Sequence, residues 1–379
     1  MSTETLPRWG LPAVDFLQTD PAAVESEIIT SYERASGRKL AAGDPVRLFL
    51  LSIAAIIIQQ RLLINTAAQQ NILTYAQGEY LDALGALLSV ERLQPAKAVT
   101  TIRFTLSQEL ASVYSIPAGT QVTNGVVTFA TNTEIQIPIG ETTGEVTASC
   151  TEPGVVGNDY LAGQINQMVN PLTFVSEVEN ISTSAGGAEI ESDADYAERI
   201  RLAPNGLSVA GPEAAYVFHA KSVSSSIVDV SVDSPTPGDV DVYVLLEGGE
   251  LPSEEVLAAV LEHLSADEIR PLTDHVTAKS PTAVNYEIKV DFWINKADAT
   301  RAASIRAAVE RAVEDYRLWQ QSKIGRDISP ERLLSAVVQA GAPRVDSSTL
   351  LPKTFQTLTA TQVAQCTKVT VNYKGYKDE

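Results

Sequence analysis

The residues able to do chemistry in this chain of 379 amino acids are few and scattered. His219, His263 and His275 stand far apart, and none falls in the HExxH or HxH spacing that brings two imidazoles to one metal ion. Each is read as a structural or surface histidine, so no metal and no cofactor are expected. No serine occupies the GxSxG turn that lifts a nucleophile clear of a sheet, and Ser224-Ser225-Ser226 reads as a polar loop between a helix and a strand. The run Pro153-Gly154-Val155-Val156-Gly157-Asn158-Asp159 has the glycines of a phosphate cradle but no following lysine, which makes it a tight turn. Asp and Glu total 47, so a carboxylate pair for glycoside hydrolysis is always available on paper. The separation of about 5–9 Å that such a pair needs is set by the fold, and nothing in the sequence selects two partners.

Cys150 and Cys366 lie in no CxxC or Cys/His cluster. One long-range bridge is open to them, but free thiols in a reducing compartment fit better. Lys and Arg total 28 against 47 acids, a net charge of −19, and this field repels phosphate backbones and anionic lipid. The nearest approach to an aromatic and basic stacking run is Tyr373-Lys374-Gly375-Tyr376-Lys377, read as a solvated tail. No nucleic-acid partner is expected. Met1-Ser2-Thr3-Glu4-Thr5-Leu6-Pro7 lacks the basic then apolar order of an export signal.

The elements that would position any site come in three textures. Residues 14–36 read as a helix with Asp20 as cap, Pro21 in the first turn and Gly37 as stop, and Asp44-Pro45 opens a second. The apolar pattern from Val46 to Leu88 is one rod or two helices broken near Gly78. Its stretch Leu48 to Ile58 resembles a membrane span, yet only 13 residues (48–60) separate Arg47 from Arg61, against about 20 for a bilayer. It is read as a buried helix without membrane insertion. Because little else in the first hundred residues could cover it, Leu50, Leu51, Ile56, Ile57 and Leu62 are candidates for contact with other chains.

After Pro95 the texture becomes alternating and β-branched, as in Thr100 to Leu106, Val126 to Phe129 and Glu134 to Ile139, with Asn124-Gly125 as a turn. A small sandwich or partial barrel is expected. Gly186-Gly187 then precede Ser192, placed to cap a helix in which Asp195 completes the capping box, Asp193 favours the positive helix end and Arg199 can pair with Asp195. The glycines are candidate hinge residues. Beyond the loop Pro204-Asn205-Gly206 the pattern gives two successive strand, helix, strand units, with a last strand at 367–373. The expected architecture is therefore multi-domain α+β: N-terminal long helices, a small all-β domain, then two open-sheet units. The divisions fall at 1–97, 98–185, 186–280 and 281–379.

Gly186-Gly187 followed by Glu191-Ser192-Asp193 and Glu198-Arg199-Ile200-Arg201 resembles the central signature of the baseplate J-like family of contractile tails and related injection machines. Gly78-Glu79-Tyr80-Leu81-Asp82-Ala83-Leu84-Gly85 with Arg92 is similar to the family's helix-ending motif. Ile116 to Thr120 with Phe129-Ala130-Thr131 is similar to its β-domain entry, and Asp229-Val230, Pro237-Gly238 and Arg270 to Asp274 look like later landmarks. The resemblance implies a non-enzymatic wedge subunit, present in several copies around a central hub in the baseplate of a virion or tail particle and assembled in the host bacterial cytoplasm. It implies that the N-terminal helices meet other wedge proteins, that copies meet one another and sheath-proximal and hub proteins, and that baseplate rearrangement is coupled to sheath contraction. The competing expectation is a tail component that binds or cleaves envelope glycans.

Overall fold

The computed structural model describes residues 7–206, 211–266 and 269–377; residues 1–6, where the sequence was read for an export signal, lie outside them. The chain divides into two compact units. One comprises the chain up to Arg92 together with Ser192–Arg201, and the other comprises Leu93–Glu191 and Leu202–Glu379.

In the first unit α1 (Pro21–Ser36) starts later than the apolar pattern implies. Pro21 fixes the first helical φ, the Asp20 carboxylate accepts from the Ala23 N–H at 2.9 Å, and Gly37 ends the helix at φ +67°. Residues 14–17 are instead non-helical and tied to side chains of the next helix. That helix, α2 (Pro45–Gln69), is capped by Asp44, and α3 (Gly78–Ala86) follows after a turn. The pattern from Val46 to Leu88 is thus two helices, broken over 70–77. α2 is also not a buried helix in this chain. Only Ala54 and Asn65 are buried along its 25 residues, and by length and composition alone it could cross a membrane. Counting residues between arginines misled because Arg47 and Arg61 lie on the partly covered side, while the caps at either end set the helix length.

The second unit opens with eight strands: β1 (Val99–Leu106), β2 (Tyr114–Ile116), β3 (Gln121–Thr123), β4 (Thr128–Thr131), β5 (Ile135–Ile137), β6 (Thr143–Cys150), β7 (Gln167–Met168) and β8 (Val175–Asn180). Six of them form an antiparallel sheet in the order β7-β3-β4-β6-β1-β8, curled into a nearly closed barrel, and β2 pairs with β5. Alternation decides the faces. Ile102, Phe104 and Leu106 of β1 point into a core with Phe129, Val146 and Ile165, and their neighbours point outward.

Helix α4 (Asp193–Gly206) runs on through Pro204, which the sequence reading placed in a loop. A proline near a helix end forfeits one hydrogen bond and still supplies a helical φ. Next come α5 (Glu213–Lys221), β9 (Ile227–Asp233), β10 (Asp239–Leu246), α6 (Glu254–Leu264) and β11 (His275–Lys279). β9 and β10 form an antiparallel hairpin, and α6 crosses from β10 to its parallel neighbour β11. The last segment holds β12 (Thr282–Asn295), α7 (Ala302–Gln321), α8 (Pro330–Gln339), β13 (Arg344–Val345) and β14 (Gln362–Lys377). Here β12 and β14 run parallel, and their shared face carries Ile288, Val290 and Phe292 onto Val309, Val313, Leu333 and Val337 of the two helices. Tyr373 to Lys377 is not a solvated tail but the end of β14, because Tyr373 packs on Phe292 at 5.7 Å and Tyr376 on Tyr373 at 5.9 Å.

Candidate functional site

Within the helical unit, the start of α4 is built around Tyr196, which is 1% exposed. Ser192 accepts from the Asp195 N–H at 3.2 Å and donates to the Asp195 carboxylate at 2.5 Å, closing the expected cap. One residue into the helix, Asp193 accepts from the Arg92 guanidinium at 2.7 Å and from the Gly78 N–H at 3.0 Å. Arg92 also donates to Asp82 at 2.9 Å and lies over the Tyr196 ring at 4.7 Å, with Arg199 at 5.5 Å from the same ring. The Tyr196 hydroxyl donates to the Val90 carbonyl at 2.7 Å, and Arg199 donates to the carbonyl of Glu91. Burial pulls the Arg92 guanidinium down, but its bonds to Asp193 and Asp82 outweigh this and hold its pKa above the ordinary value.

The motifs at 78–85, 92 and 192–201, separate in the sequence, are therefore one cluster. Its second turn is closed by Trp9, whose indole N–H donates to Glu198 at 2.8 Å while Arg201 stacks on its ring at 5.6 Å. Trp9 was not singled out in the sequence, and nothing local marks it. The chemistry is that of a latch: charge-assisted bonds at a helix N-terminus and cations on an aromatic ring, with no nucleophile and base pair among them.

In the other unit Gly186 and Gly187 behave differently. Gly186 sits at φ +86° with open space where a Cβ would go. Gly187 donates its N–H to Asn158 Oδ1 and accepts from Asn158 Nδ2, both at 2.9 Å, and a Cβ there would lie 2.3 Å from the Gly154 carbonyl. Its neighbours extend this anchoring. Ala188 and Ala96 exchange backbone bonds at 2.9 and 3.2 Å, and Glu191 accepts from the Leu93 N–H at 3.0 Å. The turn at 153–159 that resembled a phosphate cradle is the surface against which Gly187 is seated.

The second feature of the helical unit is the outer face of α2. Its inner face holds Asn65, which accepts from the N–H groups of Phe16 and Leu17 and donates to the Leu17 carbonyl, and Arg61, which pairs with Glu27 at 3.2 Å. Of the residues expected to meet other chains, Ile56 is 59% and Leu62 46% exposed, whereas Leu50, Leu51 and Ile57 are half-buried. The reading missed Leu48, Phe49, Leu63 and Ile64, all exposed. The signal was present: Phe49, Ile56 and Leu63, like Leu48, Ala55 and Leu62, recur every seven residues, the spacing of a helix-packing seam.

The remaining ionisable groups among the described residues lie in separate places. His219 and His263, remote in sequence, meet with ring centroids 5.8 Å apart, and burial lowers the pKa of both. Asp229 accepts from the Ile324 N–H at 2.8 Å, and burial raises its pKa. His275 lies 3.5 Å from Asp239. Cys150 and Cys366 are free. Among the described residues no three His, Cys, Asp or Glu side chains converge as a metal site. A groove of about 570 Å³ between α7 and α8 is lined chiefly by Ala308, Ala312, Ala336, Trp319 and arginines.

Comparison with known proteins settles the family. The chain matches the baseplate J-like N-terminal domain over residues 43–98, the barrel domain over 101–187, the central domain over 208–280 and the C-terminal domain over 286–372. It is 34% identical over 224 residues to baseplate protein J of Escherichia phage P2, across 59% of this chain and 72% of that protein. The chain belongs to the baseplate J-like family. A cryo-EM structure of the anti-feeding prophage baseplate, 6-fold symmetrised, contains a chain that aligns with 97% of this one and 96% of its own length, at 16% identity and a TM-score of 0.40. In this baseplate J-like chain the glycine and acidic signature at 186–201 is therefore a structural one: its first part is anchored on the barrel turn and its second part encloses Tyr196.

Proposed function

We propose that this chain is a structural subunit of a contractile-tail baseplate, and within it a wedge subunit present in several copies around the hub. The observation that carries the reading is the ordered succession of all four family domains along the chain. The role is non-enzymatic. The outer face of α2 is the surface by which the helical unit meets another wedge protein. A row of exposed Leu, Ile and Phe side chains costs about 25 cal/mol for each Å² left in water, which a helical partner removes. Gln59 and Gln60, both exposed, interrupt the apolar run and favour a protein partner over lipid. The chain acts as four modules divided near 97, 185 and 280, in a particle assembled in the bacterial cytoplasm, and rearrangement of the wedge accompanies sheath contraction.

The test is co-expression with the products of the neighbouring genes, followed by size exclusion and electron microscopy. Incorporation into wedge-sized assemblies is the expected result. A stable monomer that joins none of them would count against the baseplate role itself.

A further inference from the structure

Among the described residues, the C-terminal sheet ends on a strand with no further strand beside it. β14 pairs with β12 from Thr282 opposite Gln362 to Asn295 opposite Lys377, with register shifts that skip Thr367 and Lys374–Gly375, in the sheet order β13-β12-β14. In a parallel ladder the backbone groups that do not face the neighbouring strand point out of the sheet, and along the edge from Lys368 to Lys377 no backbone group bonds to any other described segment. The strand is held firmly on its inner side. Tyr373 packs on Phe292, Arg306 lies 5.1 Å from the Tyr373 ring, and Asn372 donates to Asp291 at 2.7 Å. From Lys368 to Tyr373, before the irregularity at Lys374–Gly375, the edge is already fixed in extended form and loses little freedom when another strand joins it.

The charge of the edge is opposite to that of the protein. Thr367 to Lys377 carries Lys368, Lys374 and Lys377 and no carboxylate, so the other 368 residues carry a net −22 against the whole chain's −19. All three lysines are exposed; Lys374 also reaches the buried Asp291 at 3.5 Å, and Lys377 lies 5.4 Å from the Trp293 ring. Lysines on an open edge oppose pairing with a second copy of the same edge, since like charges would gather along the new ladder. They attract a strand of the other sign.

We propose that the outer edge of β14 is a docking site for an extended acidic segment of a partner polypeptide, added as a further strand to the C-terminal sheet. Main-chain bonds to the edge give affinity, and Lys368 and Lys377 select acidic side chains at alternate positions. This goes beyond the assembly role of α2, which lies in the other unit.

The experiment uses the full chain and an eight-residue synthetic peptide, acetyl-Thr-Glu-Val-Glu-Val-Glu-Thr-Glu-amide, with binding followed by calorimetry. Two controls are the same peptide N-methylated at alternate amides and its lysine counterpart. Binding of the acidic peptide, at least tenfold weaker to K368E/K377E and lost on N-methylation, is expected; circular dichroism of the variant checks its fold. Equal binding of the N-methylated peptide would reduce the effect to surface charge and overturn the proposal. So would equal binding to the charge-reversed variant, the absence of binding, or self-association through β14 that the peptide does not compete away.

Discussion

A Cβ placed on Gly85 would lie 2.0 Å from the Tyr196 hydroxyl oxygen and 2.6 Å from the Val90 carbonyl, so α3 and α4 meet at a point with room for hydrogen only. Gly85→Ala is expected to destabilise the helical unit by about 1–3 kcal/mol through overpacking. Tyr196→Phe leaves the Val90 carbonyl without its donor, at about 1–3 kcal/mol. The double variant tests the geometry further: Phe does not rescue Ala, because the ring carbon at 2.7 Å and the carbonyl remain in the way. Urea denaturation of the three variants reads all these differences, and rescue would show that the helices can slide apart at no cost.

The two joint glycines should respond unequally. Gly186→Ala meets only the strain of a left-handed backbone, about 1–2 kcal/mol, whereas Gly187→Ala meets no such strain but must push the Gly154 carbonyl and Asn158 aside, at about 1–3 kcal/mol or more. The larger loss of melting temperature is expected for Gly187→Ala, and the reverse order would remove the close-approach account. We propose that any hinge action resides at Gly186. Tail particles carrying Gly186→Ala, which keeps the local fold at the cost of that strain, should assemble yet contract less readily; normal contraction would exclude a hinge there.

On α2 the exposed positions separate folding from assembly. Ile56→Asp and Phe49→Asp place a charge in solvent, so circular dichroism and melting of the isolated chain should change by no more than about 0.5 kcal/mol equivalent. Complex formation on size exclusion should be abolished. An intact complex would move the interface elsewhere on the chain.

The histidine pair predicts a pH effect. Burial lowers the pKa of His219 and His263 in the folded chain, so below the unfolded value of about 6.5 the unfolded state binds more protons and stability falls as pH falls. Melting of the wild type and of His263→Gln at pH 7.5 and 5.5 should show the larger loss for the wild type. Parallel curves would mean that His263 titrates alike in both states.

Asp229 carries the opposite sign. Its folded pKa is raised, chiefly by burial, so its contribution to stability grows as pH falls toward the unfolded value near 3.8 and is lost as pH rises through the folded one. Asp229→Asn keeps an acceptor for the Ile324 N–H and should be close to neutral at pH 7, while Asp229→Ala costs about 1–3 kcal/mol. Between pH 7 and 4.5 the wild type should gain on the Asn variant in chemical denaturation. A constant difference would mean that the carboxylate is solvated in the fold.

What the sequence determined by itself is whatever depends on near neighbours along the chain. Asp20 with Pro21, Asp44 with Pro45 and Ser192 with Asp195 mark helix starts because a cap needs only the next few backbone N–H groups. The alternation in Thr100 to Leu106 gives a half-buried strand for the same local reason, and the order of short motifs was enough to reach the family. What only the tertiary structure decided is where distant segments meet. Gly78, Gly85, Arg92 and Tyr196 read as landmarks on separate elements until the fold closed them around one ring. Gly187 read as a free joint until Asn158 was seen to hold both its backbone groups. α2 read as buried because its apolar content fixes that it needs cover but not which side its own chain supplies. The terminal Tyr373 to Lys377 read as a tail because the aromatic partner that makes it a strand, Phe292, is 81 residues away. Hydrophobicity and capping are properties of a segment, whereas burial, register and close approach belong to pairs of segments, and the sequence does not state the pairing.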